Sequence, residues 1–497
     1  METSNRNTIR ETRIEHDFDN LNNPLPPMQQ GHTELPVRSR SFDVEDRQPS
    51  KGNNRGFCTK QCLIGLAIGL TIGVILVIVI AVPVGVVLAS KATGTQSSTM
   101  TNSTSQSTSR VKQVQNCISQ DITRQPVLID TDTDIDDLWA ILYLLNVPTV
   151  DILAITTSGD GYSTPFYSTS NILSLLGLVN CTDGVGVATG ASLSLSPTGW
   201  IIASSILKGI DSFLTSPTCL NQSTNIFLQP SPFDAVELII STLKYSQRSV
   251  DILCLGPMTN IAEAISRDRS IVSKIGTLYL SGGQFKSIAD YPSLVPNPSL
   301  GVYPYSYKTS GSSSNVFLDV LAVQRVDDSG IKNLVAMPSS VQKQLTANLT
   351  QLNNKIQALN LQLSSFTYGL ISSLAKCTNQ TEGDIFWWDN SAAQLMVQMQ
   401  NNVTNGFCTN LQKVQSLYVL SADGNQLYGQ GLSGFDQLRP NTQGLTNYTI
   451  CTRTNSDLFL TEFLTTIASN RLDSCAKTYQ NRFDIKLQAC LNTYGYE

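Results

Sequence analysis

Histidine is almost missing from this chain: its 497 residues include two, His16 and His32. Both fall in the first 57 residues, so no imidazole is present in the rest, which excludes from it a Ser-His-Asp triad and a histidine-ligated zinc site. A concentrated basic run is missing too. With a net charge of -5 and no basic face to neutralise phosphates, nucleic acid is not expected as a partner. Residues 1–57 also lack aliphatic periodicity; polar and rich in Asn, Arg and Pro, they are expected to form a disordered cytoplasmic tail. Hydrophobic residues are not short overall. At 41% of the chain they permit a substantial core in one large domain or two ordinary ones.

One apolar run stands apart. From Cys62 to Ala89 there is no charged residue, and the run exceeds the roughly 20 residues that cross a bilayer. It starts too far from the N-terminus and is too long to be the apolar core of a signal peptide. A transmembrane helix over 62–89 is therefore expected. Arg47, Lys51, Arg55 and Lys60 precede it and only Lys91 follows closely, a bias that predicts a single-pass type II protein with its bulk extracellular or luminal. Asn-x-Ser/Thr glycosylation patterns at Asn102, Asn180, Asn221, Asn348, Asn379, Asn402 and Asn447 all follow the span, as an extracytoplasmic glycoprotein requires. Nine of the eleven cysteines also follow it. Cys254, inside a strand-like segment, reads as a buried free thiol, leaving eight for up to four disulfides of open connectivity. Ser90 to Arg110 is dominated by Ser and Thr, giving the expectation of a flexible stalk over 90–120.

The chemistry is concentrated in Asp130-Thr-Asp132-Thr-Asp134-Ile-Asp136-Asp137, five aspartates directly after the apolar Val127-Leu-Ile129 and before Leu138-Trp-Ala-Ile-Leu-Tyr-Leu-Leu145. The flanks read as a buried strand and an apolar helix start, so the carboxylates occupy a strand-to-helix turn. In open α/β sheets ligands collect at that edge. Like charges this close call for a cation, and an all-oxygen donor set favours Ca²⁺ or Mg²⁺. An EF-hand is excluded, because the positions that need Gly and Glu hold Ile135 and Ile141. A phosphatase of the haloacid dehalogenase type would use Asp130 and Asp132 but has no need of the Asp136-Asp137 pair. A merely solvated acidic turn is the bland alternative.

Short apolar runs then alternate with helical patterns at 127–129, 151–156, 250–255, 275–280, 334–336 and 417–420. That order predicts an α/β fold, a mostly parallel central sheet flanked by helices. Leu255-Gly-Pro-Met-Thr-Asn260 and Ser281-Gly-Gly283 stand at two further strand ends, where glycine admits close backbone approach.

Taken together, these segments resemble the inosine-uridine nucleoside hydrolases. Ile129 to Asp137 is similar to that family's opening Asp-x-Asp-Pro-Gly-x-Asp-Asp signature, Leu153-Ala-Ile-Thr-Thr157 to its second strand, and Leu255 to Ala262 to its Gly-Pro-Leu-Thr-Asn motif. Leu280-Ser-Gly-Gly283, Asn315-Val-Phe-Leu-Asp319 and Trp388-Asp389 follow in the family's order. The resemblance implies an open, Rossmann-like ectodomain over 124–475, with 476–497 as a C-terminal extension. It implies calcium-dependent hydrolysis of the N-glycosidic bond of nucleosides to ribose and free base. By the same resemblance Asp132 is the general base; Asp132, Asp137, Asp389 and the Leu255 carbonyl hold Ca²⁺; and Asp136, Asn315 and Asp389 bind the ribose. Trp388 stands where some relatives carry a histidine acid, which resembles the purine-preferring branch, with Trp200 as a second stacking face. Departures are Thr133-Asp134 for Pro-Gly, and Ser313 where many relatives have a glutamate that contacts the sugar. They favour the alternative, a surface glycoprotein that keeps fold and metal but binds without turnover. Nothing in the sequence argues against a homo-oligomer.

Overall fold

The computed structural model describes residues 100–495 apart from 119, 182–183, 196–201, 223–227, 284, 288–312, 378–384, 419–420, 424–425, 429–430, 434–445 and 476–480. By internal contacts the chain divides into two units, and nearly all described residues belong to the one that contains Ser107–Glu497. The expected 62–89 span lies outside the described residues. Among those described, no helix is long and apolar enough to cross a membrane.

The sheet grows from β1 (Gln125–Thr131), β2 (Val150–Thr157), β3 (Gly186–Thr189), β4 (Val250–Cys254), β5 (Ile275–Ser281), β6 (Lys286–Ser287) and β7 (Leu334–Met337). A small antiparallel ladder joins β8 (Thr346–Ala347) to β9 (Ile385–Phe386), and β10 (Cys408–Tyr418), β11 (Ser421–Asp423), β12 (Gln426–Tyr428), β13 (Gly431–Ser433) and β14 (Thr446–Thr454) follow. Ten strands share one sheet in the order β3-β2-β1-β4-β5-β7-β14-β10-β13-β6. From β3 to β14 every pairing is parallel, and β10 runs antiparallel to both β14 and β13. The mostly parallel prediction holds. The polar, Cys-containing β14 and the short β3 carried too weak an apolar pattern to be read as strands.

Both faces of the sheet are buried, which is why β1 reads as an unbroken apolar run rather than an alternating one. Val127 and Ile129 point into one core and Leu128 into the other. The first core holds α2 (Ile135–Leu145), part of α3 (Pro165–Leu178), and later α12 (Trp388–Gln400) and α13 (Ser456–Ala468). The second holds α5 (Ala235–Tyr245), α6 (Thr259–Arg267) and α8 (Val320–Asp327). Between these lie α4 (Ser204–Asp211), α7 (Ser314–Leu318) and α9 (Ser339–Gln342), then α10 (Leu349–Ala358) and α11 (Ser365–Cys377). The polar segment 340–383 is thus partly helical. It packs on the first core through Leu352, Leu370 and Ile371, and Trp139 Nε1 donates to Leu370 O at 3.0 Å.

Two boundaries differ from expectation. The segment taken as a stalk is helical over Met100–Ile118 (α1), and Val114 and Ile118 are buried in the second core. Its Ser and Thr residues concealed two apolar side chains one helical turn apart, each worth roughly 1.5–3 kcal/mol on full burial. The C-terminal extension is also integral: α14 (Phe483–Tyr494) buries Phe483, Leu487 and Leu491 in the same core. Cys117–Cys490 bonds α1 to α14 directly. Arg482 pairs with Asp484 at 2.8 Å in full burial and donates to the Gln229 and Pro230 carbonyls. Further bridges join Cys181 to Cys475 and Cys408 to Cys451; Cys219 is also disulfide-bonded, and Cys254 is the buried free thiol expected.

Candidate metal centre

The aspartates of the opening run sit at the carboxyl edge of the sheet, Asp130 near the end of β1, Asp132 and Asp134 in the turn, and Asp136 and Asp137 in the first turn of α2. Thr133 there adopts a left-handed backbone, φ 61°, and its hydroxyl lies 2.7 Å from Ser168 Oγ. Thr133 thus makes the turn without glycine. Asp134 is the N-cap of α2: its side chain accepts the Ile135 N–H at 2.7 Å, and Asp137 accepts the Asp134 N–H at 3.0 Å in a reciprocal capping box. The helix therefore starts where Asp136 and Asp137 project from its first turn, beside a helix N-terminus that favours negative charge.

Asp130 supports the loop from below. One of its oxygens accepts from Thr156 Oγ1 at 2.6 Å and Asn260 Nδ2 at 2.9 Å, tying β1 to β2 and α6. Burial pushes its carboxyl up to about 7 against those two donors. Asn260 also holds the Thr157 carbonyl and the Ala191 N–H, so one amide joins three strand-end loops.

Asp132 is 2% exposed and enclosed by glycines. A Cβ on Gly161 would overlap its carboxylate, and one on Gly256 would lie 2.8 Å from its Cβ. The Tyr162 N–H donates to its Oδ2 at 3.1 Å. Burial, then the Asp137 and Asp134 charges, raise its carboxyl well above the ordinary range.

Asp389 comes from the first turn of α12, some 250 residues later. Its N–H donates to Asp136 Oδ2 at 3.1 Å. Asp136, Asp137 and Asp389 each offer an oxygen within 4.8 Å of the others'. All three are buried, and burial pushes each carboxyl upward; for Asp136 and Asp389 neighbouring aspartates add to the rise. A hard divalent cation fits this all-oxygen, charge-rich set and removes the repulsion between its carboxylates.

The three carboxylates whose oxygens close on one point are Asp136, Asp137 and Asp389. Asp132, the further carboxylate that the resemblance implies as a ligand, accepts the Tyr162 N–H through one oxygen. The Leu255 carbonyl accepts from Asn315 Nδ2, which also donates to Ser281 O at 3.1 Å, so Asn315 fastens the ends of β4 and β5. Ser313 accepts the Gly283 N–H at 2.8 Å and thereby pins the Gly-Gly turn. Trp388 opens α12, half-buried, and its ring lies against Phe386 with centroids 5.4 Å apart and planes 13° apart. Trp200 lies outside the described residues.

Gln342 went unread in the sequence. Fully buried at the end of α9, it donates to Trp388 O at 2.7 Å, Ser281 Oγ at 3.0 Å and Ser391 Oγ at 3.2 Å. It anchors the turn that carries Trp388 and Asp389. Nothing in its polar surroundings distinguishes it from a surface glutamine.

The sequence profile of the inosine-uridine preferring nucleoside hydrolases matches residues 127–461. The pyrimidine-specific ribonucleoside hydrolase RihA of Escherichia coli is 32% identical over 214 residues, which are 42% of this chain and 59% of RihA. The match therefore spans about three fifths of that relative's length. Among solved structures, an inosine-guanosine nucleoside hydrolase superposes with a TM-score of 0.54 at 17% identity, covering 69% of this chain and 99% of the other. An inosine-uridine preferring nucleoside hydrolase from Bacillus anthracis gives 0.51 at 18%, covering 70% and 99%. At these identities the superpositions establish the fold.

Proposed function

Because the chain belongs to the inosine-uridine preferring nucleoside hydrolase family, we propose that it hydrolyses the N-glycosidic bond of nucleosides, releasing ribose and free base, with Ca²⁺ as cofactor. The observation that carries this reading is the meeting of Asp136 and Asp137 with Asp389 at one sheet edge, beside the enclosed Asp132.

Asp136, Asp137 and Asp389 would hold the ion, with Asp132 and the Leu255 carbonyl at its border. Bound there, Ca²⁺ supplies an anchor for ribose hydroxyls and lowers the pKa of water. Asp132 takes a proton from the attacking water; the Tyr162 amide and the two glycines fix its direction. Positive charge grows on the sugar as the bond to the base breaks, and the surrounding carboxylates stabilise it. Asp136 and Asn315 orient ribose hydroxyls.

The departing base meets no imidazole. Trp388, backed by Phe386, offers a flat aromatic face that supports a purine leaving group by stacking. RihA, described as pyrimidine-specific, favours the opposite preference, and an inosine-guanosine hydrolase shares the fold. We place the reaction on the extracytoplasmic side of a membrane, on the strength of the 62–89 run and the disulfides.

The test is to incubate the full chain in detergent with inosine, guanosine, uridine, cytidine and a phosphomonoester, with calcium or a chelator. Purine-selective base release that needs calcium supports the reading. Faster uridine or cytidine cleavage overturns the purine preference, and binding without product from any nucleoside favours the inactive glycoprotein.

A further inference from the structure

We propose that Asn180, Asn402 and Asn447 carry N-linked glycans that cover the amino edge of the sheet, the edge opposite its carboxylates. The proposal rests on the extracytoplasmic reading of the domain.

Each of the three is exposed and begins an Asn-x-Thr pattern. Topology puts them together. Asn180 follows α3, which runs back from the carboxyl end of β2; the adjacent Cys181 is bonded to Cys475, and Ser474 donates to the Val150 carbonyl where β2 begins. Asn402 follows α12, which begins at the metal centre and ends at the opposite edge, where Gln400 donates to Asp251 at the start of β4 and Asn401 to Thr149 just before β2. Asn447 is the second residue of β14, and β14 is parallel to β7, so its start lies on the amino edge as well.

Local conformation supports modification. Asn180 and Asn402 have φ of 58° and 51°; they end turns after helices, where asparagine tolerates the left-handed region and its side chain faces solvent. Asn348 differs. It is half-buried and its side chain belongs to the capping box of α10, accepting the Gln351 N–H at 2.8 Å. The disulfides Cys117–Cys490, Cys181–Cys475 and Cys408–Cys451 supply the independent argument, since bridges of this kind persist in the oxidising compartments where Asn-linked glycans are added. A bulky sugar on the amino edge cannot obstruct substrate at the other.

The test is to express the full chain in a eukaryotic secretory host, release N-glycans enzymatically in heavy-oxygen water, and map the labelled aspartates by peptide mass spectrometry. Label at 180, 402 and 447 supports the proposal, as does a stepwise mobility gain in N180Q, N402Q and N447Q. Unlabelled peptides at those positions overturn it, whether the protein stays outside the secretory pathway or is glycosylated elsewhere. Base release is measured on the same preparation before and after glycan removal. A change within about twofold fits glycans remote from the site, and loss of more than about tenfold overturns that placement. Turnover without glycans defeats the glycan proposal alone, and glycans without turnover defeat the hydrolase reading alone.

Discussion

Asp134 shows how one residue's part is hidden in a run of like residues. Five aspartates in eight positions announce a cation site, but nothing in that string separates a ligand from a cap. Only the extended backbone of Asp134 and the reciprocal bonds with Asp137 identify it as the start of α2. Asp134→Ala should cost about 1 kcal/mol, the usual worth of an N-cap, measured as a lower urea midpoint. Unchanged stability would contradict the capping role. Asp132 makes a different demand. Enclosed by Gly161 and Gly256, it leaves no space for a longer acid, so Gly161→Ala should reduce kcat by displacing the carboxylate. Asp132→Asn, which keeps the shape but cannot take a proton, should reduce kcat by roughly 10²–10⁴. Asp132, Asp136 and Asp137 stand out in the sequence because their neighbours mark a strand end and a helix start, whereas Asp389 is picked out only by the family resemblance of Trp388-Asp389. Gln342 was not, because its importance exists only through contact with a turn 46 residues away.

At the scale of elements, the parallel strands were legible wherever both faces are buried, as in β1, β2, β4 and β5. The helix α1 and the terminal α14 were not, since each shows a narrow apolar stripe in a polar stretch and is fixed by a disulfide whose partner is 373 residues away. The contact between α8 and β14 makes a pH-dependent prediction. Burial pushes Asp327 up to about 8 from its ordinary 3.8, opposed by the Tyr448 hydroxyl that donates to it at 2.6 Å. The folded state therefore holds this proton more tightly than the unfolded chain does. Its stabilising effect is complete below about pH 4 and is lost as pH rises to about 8. Asp327→Asn, which can still accept from Tyr448, should melt higher than the parent at about pH 8 and lose that advantage at about pH 4. Parallel melting curves across that range would contradict it.

Over the whole molecule, the sheet brings β1 and α12 to one edge and the disulfides tie both ends of the domain to the same body. Cys117→Ser frees α1 from α14 and should cost about 2–5 kcal/mol, seen as a lower denaturation midpoint that added reductant does not lower equally again. Calcium should act on the other edge. By neutralising Asp136, Asp137 and Asp389 it should raise the melting temperature, and a chelator should reverse that, because a ligand bound only by the folded state stabilises it. The measurement that tests the central claim most directly is ribose and free-base release from inosine by the calcium-loaded full chain, beside its Asp132→Asn variant. The account predicts release by the parent, its loss on chelation, and a fall of roughly 10²–10⁴ in the variant. Equal release by parent and variant, or none by a calcium-loaded parent that binds the nucleoside, would contradict it.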